Sequence, residues 1–291
     1  MIINLKQFAK INFTVILLHT LLVMNVSAQT GKQDTIVYGQ NKAAGAYLKT
    51  GSFRMYYETY GQGAPLLLLH GNGGNISDFK NQIPFFSKFY KVYAIDSRAQ
   101  GNSYDNQDSL SYEMMADDIN HFIDTLKLKD CYLIGWSDGG INALLLNIRH
   151  PGKIKKMAIS GANLWPDSTA INPYLYAWAK SYNDSLSRKT DISKITNEKK
   201  VFHLLSYEPH ISVSGIRQIQ AETLVIGGDH DVILPAHTLL IAQNIPHSYL
   251  WIVPDSGHSA LAKKKDEFNR VVNEFFNKPY RDITEFDRIE Q

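Results

Sequence analysis

The sequence has a single cysteine, Cys131, among its 291 residues. No disulfide can form within the chain, which excludes the class of small secreted domains that disulfides hold together. Because Cys131 begins the apolar run 131–134, we expect a buried and unreactive thiol. A secreted protein without disulfides fits a bacterial envelope better than an animal extracellular fluid.

The N-terminal apolar run, residues 13–23, lacks the length to span a bilayer, since it has about 11 residues and a span takes about 20. Two lysines precede it, and residues 26–28, Val-Ser-Ala, supply the small side chains that a signal peptidase requires. Residues 1–28 therefore resemble a signal peptide, and we predict a secreted or periplasmic protein with no stable membrane span after cleavage at Ala28. An uncleaved membrane anchor is the alternative. A lipoprotein anchor is not expected, because Gln29 and not a cysteine follows the cut.

An excess of charge of one sign is also missing. The chain has 30 Lys and Arg residues against 28 Asp and Glu residues. Residues 1–28 contain two lysines and no acid, so the rest of the chain has 28 residues of each sign. Without a basic surface, the sequence predicts no nucleic-acid partner and no anionic membrane partner.

Short apolar runs alternate with helical patterns from about residue 47 onward. The clearest helix begins near Ser111, a good N-cap residue, and has apolar residues at 112, 115, 116, 119, 122, 123 and 126. Alternation of strands and helices predicts an α/β fold with a mostly parallel, doubly wound sheet. The predicted strands are 52–60, 65–69, 91–95, 131–134, 154–160, 223–226 and 248–253.

The alternation is interrupted between residues 162 and 215, where aromatic residues accumulate and no buried-strand run occurs. We expect a helical cap there, whose aromatic residues either line an apolar cavity or pack the cap onto the core. The predicted organisation is a signal peptide (1–28), an N-terminal segment (29–46), two parts of one core (47–161 and 216–278) around the cap (162–215), and a charged tail (279–291).

Residues 135–139, Gly-Trp-Ser-Asp-Gly, follow the predicted strand 131–134 and precede a helical pattern. A G-x-S-x-G sequence in this context is typical of a nucleophile elbow, a tight turn that lifts a serine hydroxyl clear of the sheet. The two glycines leave room for the turn, and the N-terminus of the next helix favours developing negative charge. Ser137 is therefore the candidate nucleophile.

Residues 70–74, His-Gly-Asn-Gly-Gly, follow the predicted strand 65–69. They match the oxyanion loop that accompanies such an elbow, although without the elbow a flexible glycine turn would be the preferred interpretation. The backbone N–H groups of Asn72 and Asp138 are the candidate donors to the oxygen of a tetrahedral intermediate. One such donor contributes about 3 kcal/mol of transition-state stabilisation.

Asp229 and Asp231 flank a histidine after the predicted strand 223–226. A metal site is one interpretation, but no companion cluster of His, Asp and Glu at ligand spacing occurs elsewhere in the sequence. We predict neither a metal ion nor a cofactor. A triad acid explains the segment better, and we choose Asp231 because it stands four residues before Pro235, where a helix is expected to begin.

His258 follows the predicted strand 248–253, so a loop can bring its imidazole over the sheet edge towards Ser137. The chain has 10 histidines, but the other nine do not complete the order Ser, Asp, His at the ends of consecutive strands. Ser137, Asp231 and His258 are thus the predicted catalytic triad.

These segments together resemble the α/β-hydrolase superfamily, in its serine-nucleophile, single-domain form with a helical cap. The resemblance covers residues 47–278. Residues 96–103 also resemble the family's D-x-R-G-x-G-x-S turn, with Ala99 in place of a glycine. If the backbone at Ala99 requires a positive φ, alanine is strained there, and the shape of this turn would differ. We expect the turn to be structural.

The resemblance implies hydrolysis of a small carboxylic ester or lactone through an acyl-enzyme at Ser137, with a small molecule as the substrate. Cleavage of C–C bonds or of peptide N-termini by the same triad is the alternative, and a ligand-binding protein without turnover is a third hypothesis. Asp138 either complements the helix N-terminus, the interpretation we favour, or binds a substrate amine. The sequence leaves the bond attacked and the oligomeric state open.

Overall fold

The computed structural model describes residues 36–51, 53–189, 196–282 and 289. The predicted signal peptide, residues 1–28, lies outside the described residues, as do parts of the N-terminal segment and of the tail.

The described residues form a sheet of eight strands in the order β1-β2-β4-β3-β5-β6-β7-β8. Strand β2 runs antiparallel to its neighbours β1 and β4, and all the other pairs are parallel. The prediction of an α/β fold with a mostly parallel sheet is therefore confirmed. The strands are β1 (Gly45–Thr50), β2 (Phe53–Tyr60), β3 (Pro65–Leu69), β4 (Lys91–Ile95), β5 (Cys131–Trp136), β6 (Ile154–Ser160), β7 (Glu222–Gly228) and β8 (Ser248–Val253).

Helices cover both faces of the sheet and bury a separate apolar core on each. The helices are α1 (Ile83–Phe86), α2 (Tyr112–Thr125), α3 (Asp138–Arg149), α4 (Pro173–Lys189), α5 (Asn197–Tyr207), α6 (Val213–Ile216), α7 (Pro235–Asn244), α8 (Ala260–Lys263) and α9 (Lys265–Asn277), with a 3-10 helix at Ile76–Phe79. One core includes side chains of α2, α3 and α7. The other includes side chains of α1, α8 and α9. Helices α4, α5 and α6 follow β6 and precede β7 along the chain. No helix among the described residues has the length and apolarity that crossing a membrane requires.

Local sequence signals explain where most of these elements begin and end. Ser111 caps α2, as expected, by accepting a hydrogen bond from the backbone N–H of Met114. Six of the seven predicted apolar positions of this helical pattern are buried, and Leu126, just past the helix, packs against the same core. Helix α7 begins at Pro235, as predicted, because proline is favoured in the first turn of a helix.

Strand β1 is the one strand of the described sheet that the sequence did not predict. It lies at the edge and pairs antiparallel with β2, from Gly45 opposite Glu58 to Thr50 opposite Phe53. Only Leu48 and Thr50 of its six residues are buried. Its sequence, Gly-Ala-Tyr-Leu-Lys-Thr, has no continuous apolar run, so the pattern that identified the other strands is missing here.

Candidate active site

Ser137 lies at the turn between β5 and α3, with φ 54° and ψ −116°. Its backbone N–H donates to the carbonyl of Ser160, the last residue of the neighbouring β6, at 2.8 Å. A non-glycine residue in this conformation stores about 1–3 kcal/mol of strain, which the surrounding structure must offset. A methyl group at Gly139 would lie 1.9 Å from the carbonyl oxygen of Leu69. The glycines of the elbow are therefore needed for close backbone approach, as predicted.

The structure brings Ser137, His258 and Asp231 together from the ends of three different strands. His258 Nε2 lies 3.0 Å from Ser137 Oγ, and His258 Nδ1 lies 2.7 Å from Asp231 Oδ1. Asp231 is buried and also accepts hydrogen bonds from the backbone N–H groups of Ile233 and Gly228. With its Nδ1 proton held by the carboxylate, His258 has Nε2 free to accept the serine proton.

Asp229 lies outside this hydrogen-bonded series. Its carboxylate accepts the backbone N–H groups of Asp255 and Ser256, each at 2.9 Å, and it supports the loop that leads to His258. These hydrogen bonds hold the pKa of Asp229 below its usual value. Of the two carboxylates in this segment, Asp231 is the one that contacts the imidazole.

The loop 70–74 lies directly beside Ser137. A methyl group at Gly71 would be 3.2 Å from Ser137 Cβ. The loop is held by His70, whose Nε2 accepts the backbone N–H of Ser97 at 3.0 Å, and by Gln100, whose Oε1 accepts that of Gly73 at 2.7 Å. Within the part of the chain that the structure describes, no acceptor is bonded to the backbone N–H of Asn72 or Asp138. Both donors are thus available to a bound ligand.

The turn 96–103 supports this loop. Ala99 has φ 65°, so the left-handed backbone that the family pattern assigns to glycine is adopted here by an alanine. Arg98 makes a buried two-bond ion pair with Asp118, at 2.6 and 2.7 Å. Asp96 accepts the backbone N–H of Ile76 at 2.9 Å, and burial raises the pKa of this carboxyl group. These contacts supply the rigidity that a strained alanine requires.

Asp138 is buried, and its carboxylate is already engaged. The side-chain amide of Asn72 donates to Asp138 Oδ2 at 2.9 Å, and the Tyr112 hydroxyl lies beside the same carboxylate. Burial raises the pKa of Asp138, and the Asn72 amide and the Tyr112 hydroxyl oppose that effect. Tyr112 is itself buried, so burial and the neighbouring carboxylate raise its pKa well above the usual value.

A cavity of about 670 Å³ opens at Ser137. The loop 70–74, Asp138 and His258 line its floor, and side chains of α4 and α5 line its walls. Among the described residues, its acidic lining residues are Asp138, Glu198 and Glu208, and no Lys or Arg lines it. Burial raises the pKa of Glu208, whose carboxylate accepts the backbone N–H of Tyr112 at 3.3 Å. Apolar side chains form most of the walls: Ile171, Leu175, Trp178, Val201, Phe202 and Leu205.

Sequence reasoning missed four residues that shape the site: Gln100, Tyr112, Gly161 and Glu208. Gly161 has φ 66°, and a methyl group there would lie 2.7 Å from His258 Cε1. Its position directly after the predicted strand 154–160 was a usable signal, because the ends of neighbouring parallel strands meet at one edge. Tyr112 and Glu208 come from segments without a motif, so only the fold brings them to Ser137.

Comparisons with known proteins agree with this architecture. A family model of the alpha/beta hydrolase fold matches residues 64–190. The chain is similar to the serine hydrolase BPHL of Mus musculus, with 28% identity over 239 residues that cover 76% of this chain and 82% of the relative. It is also similar to the 2-hydroxy-6-oxononadienedioate/2-hydroxy-6-oxononatrienedioate hydrolase of Comamonas testosteroni, with 26% identity over 77% of this chain and 91% of the relative. Among solved structures, Est816, an N-acyl homoserine lactone degrading enzyme, matches with a TM-score of 0.65 and 25% identity, covering 79% of this chain and 100% of that one.

Proposed function

We propose, from the premise that this chain belongs to the α/β-hydrolase superfamily, that it is a serine hydrolase that cleaves a small carboxylic ester or lactone. Its similarity to named hydrolases supports hydrolysis in general. The observation that carries the finer proposal is the hydrogen-bonded series from Ser137 Oγ through His258 to Asp231, at the floor of a cavity.

The acylation step follows from this geometry. His258 Nε2 takes the proton of Ser137 as Oγ attacks the carbonyl carbon of the substrate. The carbonyl oxygen becomes an oxyanion that accepts hydrogen bonds from the backbone N–H groups of Asn72 and Asp138. As the tetrahedral intermediate collapses, His258 returns the proton to the leaving alkoxide. An alcohol departs, and the acyl group stays on Ser137. In a lactone, the alcohol remains attached to the acyl group.

Deacylation repeats the same steps with water. His258 removes a proton from a water molecule, whose oxygen attacks the acyl carbon, and the proton then returns to Ser137 Oγ as the acid is released. In both steps the imidazole becomes positively charged. Asp231 stabilises that charge because its carboxylate is buried and bonded to Nδ1. We assign helices α4 to α6 the role of the cap, since α4 and α5 wall the cavity.

The charge of the cavity favours a neutral acyl group. Three carboxylates and no described Lys or Arg line it, so a carboxylate on the substrate would be repelled and would find no counter-ion. The relative from Comamonas testosteroni is named for a dicarboxylate substrate. This cavity is unsuited to such a substrate, and an uncharged ester or lactone fits it better. Cleavage of a C–C bond next to a carbonyl in a neutral substrate remains the second candidate function. Aminopeptidase-like activity and ligand binding without turnover have no specific observation in their favour.

Labelling with a fluorophosphonate tests the nucleophile. We expect the folded protein to be labelled at Ser137 and to hydrolyse p-nitrophenyl butyrate, and Ser137→Ala to lose at least about 10⁴-fold in kcat/KM with an unchanged fold. Asp117→Ala serves as the control for labelling, because this carboxylate on α2 pairs with Arg149 and does not line the cavity. A folded wild-type protein that is neither labelled nor active on any ester or lactone contradicts the proposal.

The substrate charge is tested with two p-nitrophenyl esters of similar length, one neutral and one with a terminal carboxylate. We expect kcat/KM to be at least about tenfold higher for the neutral ester, since about 1.4 kcal/mol of charge repulsion suffices for that ratio. Glu208→Gln keeps an acceptor for the Tyr112 N–H and removes one negative charge. The variant should therefore have a smaller ratio of kcat/KM for the neutral ester to kcat/KM for the charged ester. Equal rates for the two esters would exclude selection by charge.

Export is proposed on the sequence of residues 1–28 alone. Expression of the full chain in a bacterium, followed by mass measurement of the periplasmic protein, tests it. We expect a product that begins at Gln29. An intact N-terminus in the membrane fraction would indicate the anchor instead.

A further inference from the structure

The side chain of Asp138 belongs to a buried network next to the nucleophile. Its Oδ2 accepts Asn72 Nδ2 at 2.9 Å, and the Tyr112 hydroxyl lies beside the same carboxylate. Asp138 and Tyr112 are 2% and 1% exposed. A buried carboxylate that is bonded to an amide donor resists displacement, because leaving it unsatisfied costs about 1–3 kcal/mol.

The same amide of Asn72 reaches a second element. Asn72 Nδ2 also donates to the carbonyl oxygen of Val201, in α5, at 3.0 Å. One NH₂ group has two protons, so both bonds form at once. The side chain of Asn72 thus joins the oxyanion loop to the N-terminus of α3 on one side and to the wall of the cavity on the other.

We infer that the carboxylate of Asp138 is a positioning group for the oxyanion hole, which holds Asn72 through its amide so that the backbone N–H groups of residues 72 and 138 face one oxygen. The inference rests on the proposed function, since it concerns the stabilisation of an oxyanion on Ser137. It assigns the carboxylate a role in catalysis on every substrate, with or without an amine.

The geometry makes this bond effective because the oxyanion loop has few other restraints at its tip. Gly71, Gly73 and Gly74 give the loop little intrinsic stiffness. Gln100 fixes the loop at the N–H of Gly73, and Asp138 fixes it one residue earlier through Asn72. Without the hydrogen bond from Asn72 to Asp138, the backbone N–H of Asn72 is no longer held in position for the transition state. A donor displaced by about 1 Å can cost about 100-fold in rate.

The wall of the cavity is in turn fixed by a buried charge. Lys200, which precedes Val201, donates to Asp105 Oδ2 at 3.2 Å and to the carbonyl of Gln107 at 2.7 Å. Its side chain and that of Asp105 are 3% and 0% exposed. The Val201 carbonyl is therefore held in place as part of α5. Because the Asn72 amide is bonded to that carbonyl, the oxyanion loop is held in place as well.

Three single variants and the double variant Asn72→Ala/Asp138→Ala test the inference with a neutral ester and with the matched ester that bears an α-amino group. Asp138→Ala removes the acceptor, and we expect kcat to fall by about 10–100-fold on both esters while KM changes by less than about threefold. Asp138→Asn should recover at least tenfold of that loss, because its amide oxygen can accept Asn72 Nδ2 and its NH₂ group can donate to the Tyr112 hydroxyl. Asn72→Ala should lower kcat by a similar factor, and the double variant should be no worse than the poorer single one.

A different pattern would overturn the inference. If Asp138→Ala retains kcat on the neutral ester and loses activity only on the amino ester, the carboxylate binds the substrate amine instead. If Asp138→Ala and Asn72→Ala lose rate independently, so that their effects multiply, the two side chains do not act through one bond. Should Asp138→Ala fail to fold, Asn72→Ala alone decides, since the inference requires its kcat to fall.

The rate of labelling by the fluorophosphonate separates this inference from the proposed function. Its phosphoryl oxygen occupies the oxyanion hole as Ser137 attacks, so Asp138→Ala should be labelled at least tenfold more slowly than the wild type. Equal labelling of both overturns the inference and leaves the hydrolase intact. A folded wild type that is not labelled contradicts the proposed function. Asp117→Ala, which removes an exposed carboxylate on α2, should be labelled at the wild-type rate.

Discussion

His258 is the residue on which the candidate site depends most closely, because its imidazole contacts both other members of the predicted triad. Its ring faces Gly161, and the absence of a side chain at Gly161 leaves room for the ring. Trp136 fixes the backbone of His258 through a hydrogen bond from its indole N–H to the carbonyl oxygen, at 2.9 Å. The ring is therefore held by its neighbours on several sides.

We expect Gly161→Ala to lower kcat by about 100-fold, because the new methyl group would lie 2.7 Å from Cε1 and 2.8 Å from Nδ1 of His258 and displace the ring. The measurement is steady-state hydrolysis of a neutral ester, with the pH dependence of kcat recorded for both proteins.

Gly152→Ala is the matched control. Gly152 has φ 83°, so alanine is strained there too, but no atom lies within 4 Å of the added methyl group. Both variants should lose about 1–2 kcal/mol of folding free energy from backbone strain. Only Gly161→Ala should lose rate. Normal activity of a folded Gly161→Ala protein would mean that His258 tolerates the displacement.

Some residues of the candidate site can be identified from a sequence pattern, and others cannot. Ser137, Asp231 and His258 each follow a strand with an apolar run, so these runs located them in the sequence. Tyr112 begins a helix, and Glu208 ends one, and neither position has a motif. Tyr112 lies beside Asp138 and Glu208 lies beside Tyr112 because of how α2 and α5 are placed in the fold, which no local pattern encodes.

At the scale of elements, α5 shows how a polar residue fixes the wall of the cavity. Lys200 is one of its buried residues, paired with Asp105, which also lies 3.6 Å from the Arg98 guanidinium. Burial of this ion pair has a desolvation cost, so its main effect is to define one position for the helix rather than to add stability.

We expect Lys200→Met to lower the free energy of unfolding by about 3 kcal/mol, since it leaves the Asp105 carboxylate buried with only Arg98 as a counter-ion. Because α5 also presents Val201 to Asn72, kcat on a neutral ester should fall as well. Urea unfolding and steady-state kinetics measure the two effects.

The neighbouring Lys199→Met provides the control. Lys199 forms no ion pair among the described residues, and its backbone N–H donates to the N-cap Thr196. The free energy of unfolding of Lys199→Met should stay within about 0.5 kcal/mol of the wild-type value, and its kcat should be unchanged. Equal effects of the two substitutions would show that the buried pair has no special role.

The boundaries of four strands were predictable from their apolar runs. The predicted strands 65–69, 91–95, 154–160 and 248–253 match β3, β4, β6 and β8 residue for residue. Strand β1 was missed because its sequence has no continuous apolar run, and only Leu48 and Thr50 of its residues are buried. Long-range pairing with β2, rather than its own composition, makes this segment a strand.

At the scale of the whole molecule, His237 links stability to pH. It is 3% exposed, its Nε2 accepts the backbone N–H of Leu164 at 3.0 Å, and its ring packs edge-on against Trp165. Burial lowers the pKa of His237 from 6.5 to about 4. A protonated ring would lose the acceptor for Leu164 and place a charge in the core.

The unfolded chain therefore binds a proton at a higher pH than the folded protein does. The stability from this group is fully present above pH 6.5 and is lost as the pH falls towards 4. Between pH 7 and pH 5 we expect a loss of about 2 kcal/mol, measured by urea unfolding at both values.

His237→Gln separates this group from the other titrating residues. Its amide oxygen can accept the Leu164 N–H and does not titrate, so the variant should lose about 2 kcal/mol less than the wild type over the same interval. The same pH dependence in both proteins would assign the effect to other groups.

The single thiol, Cys131, can be used to measure unfolding of the protein. The thiol is fully buried at the start of β5, and burial raises its pKa to about 12. In the native state, therefore, little thiolate is present and it is inaccessible to solvent. A thiol reagent can react only after the centre of the sheet unfolds. We expect no modification of the native protein over hours and one rapid modification per chain in denaturant. At high reagent concentration the slow native reaction then measures the unfolding rate itself, without any dye or engineered label.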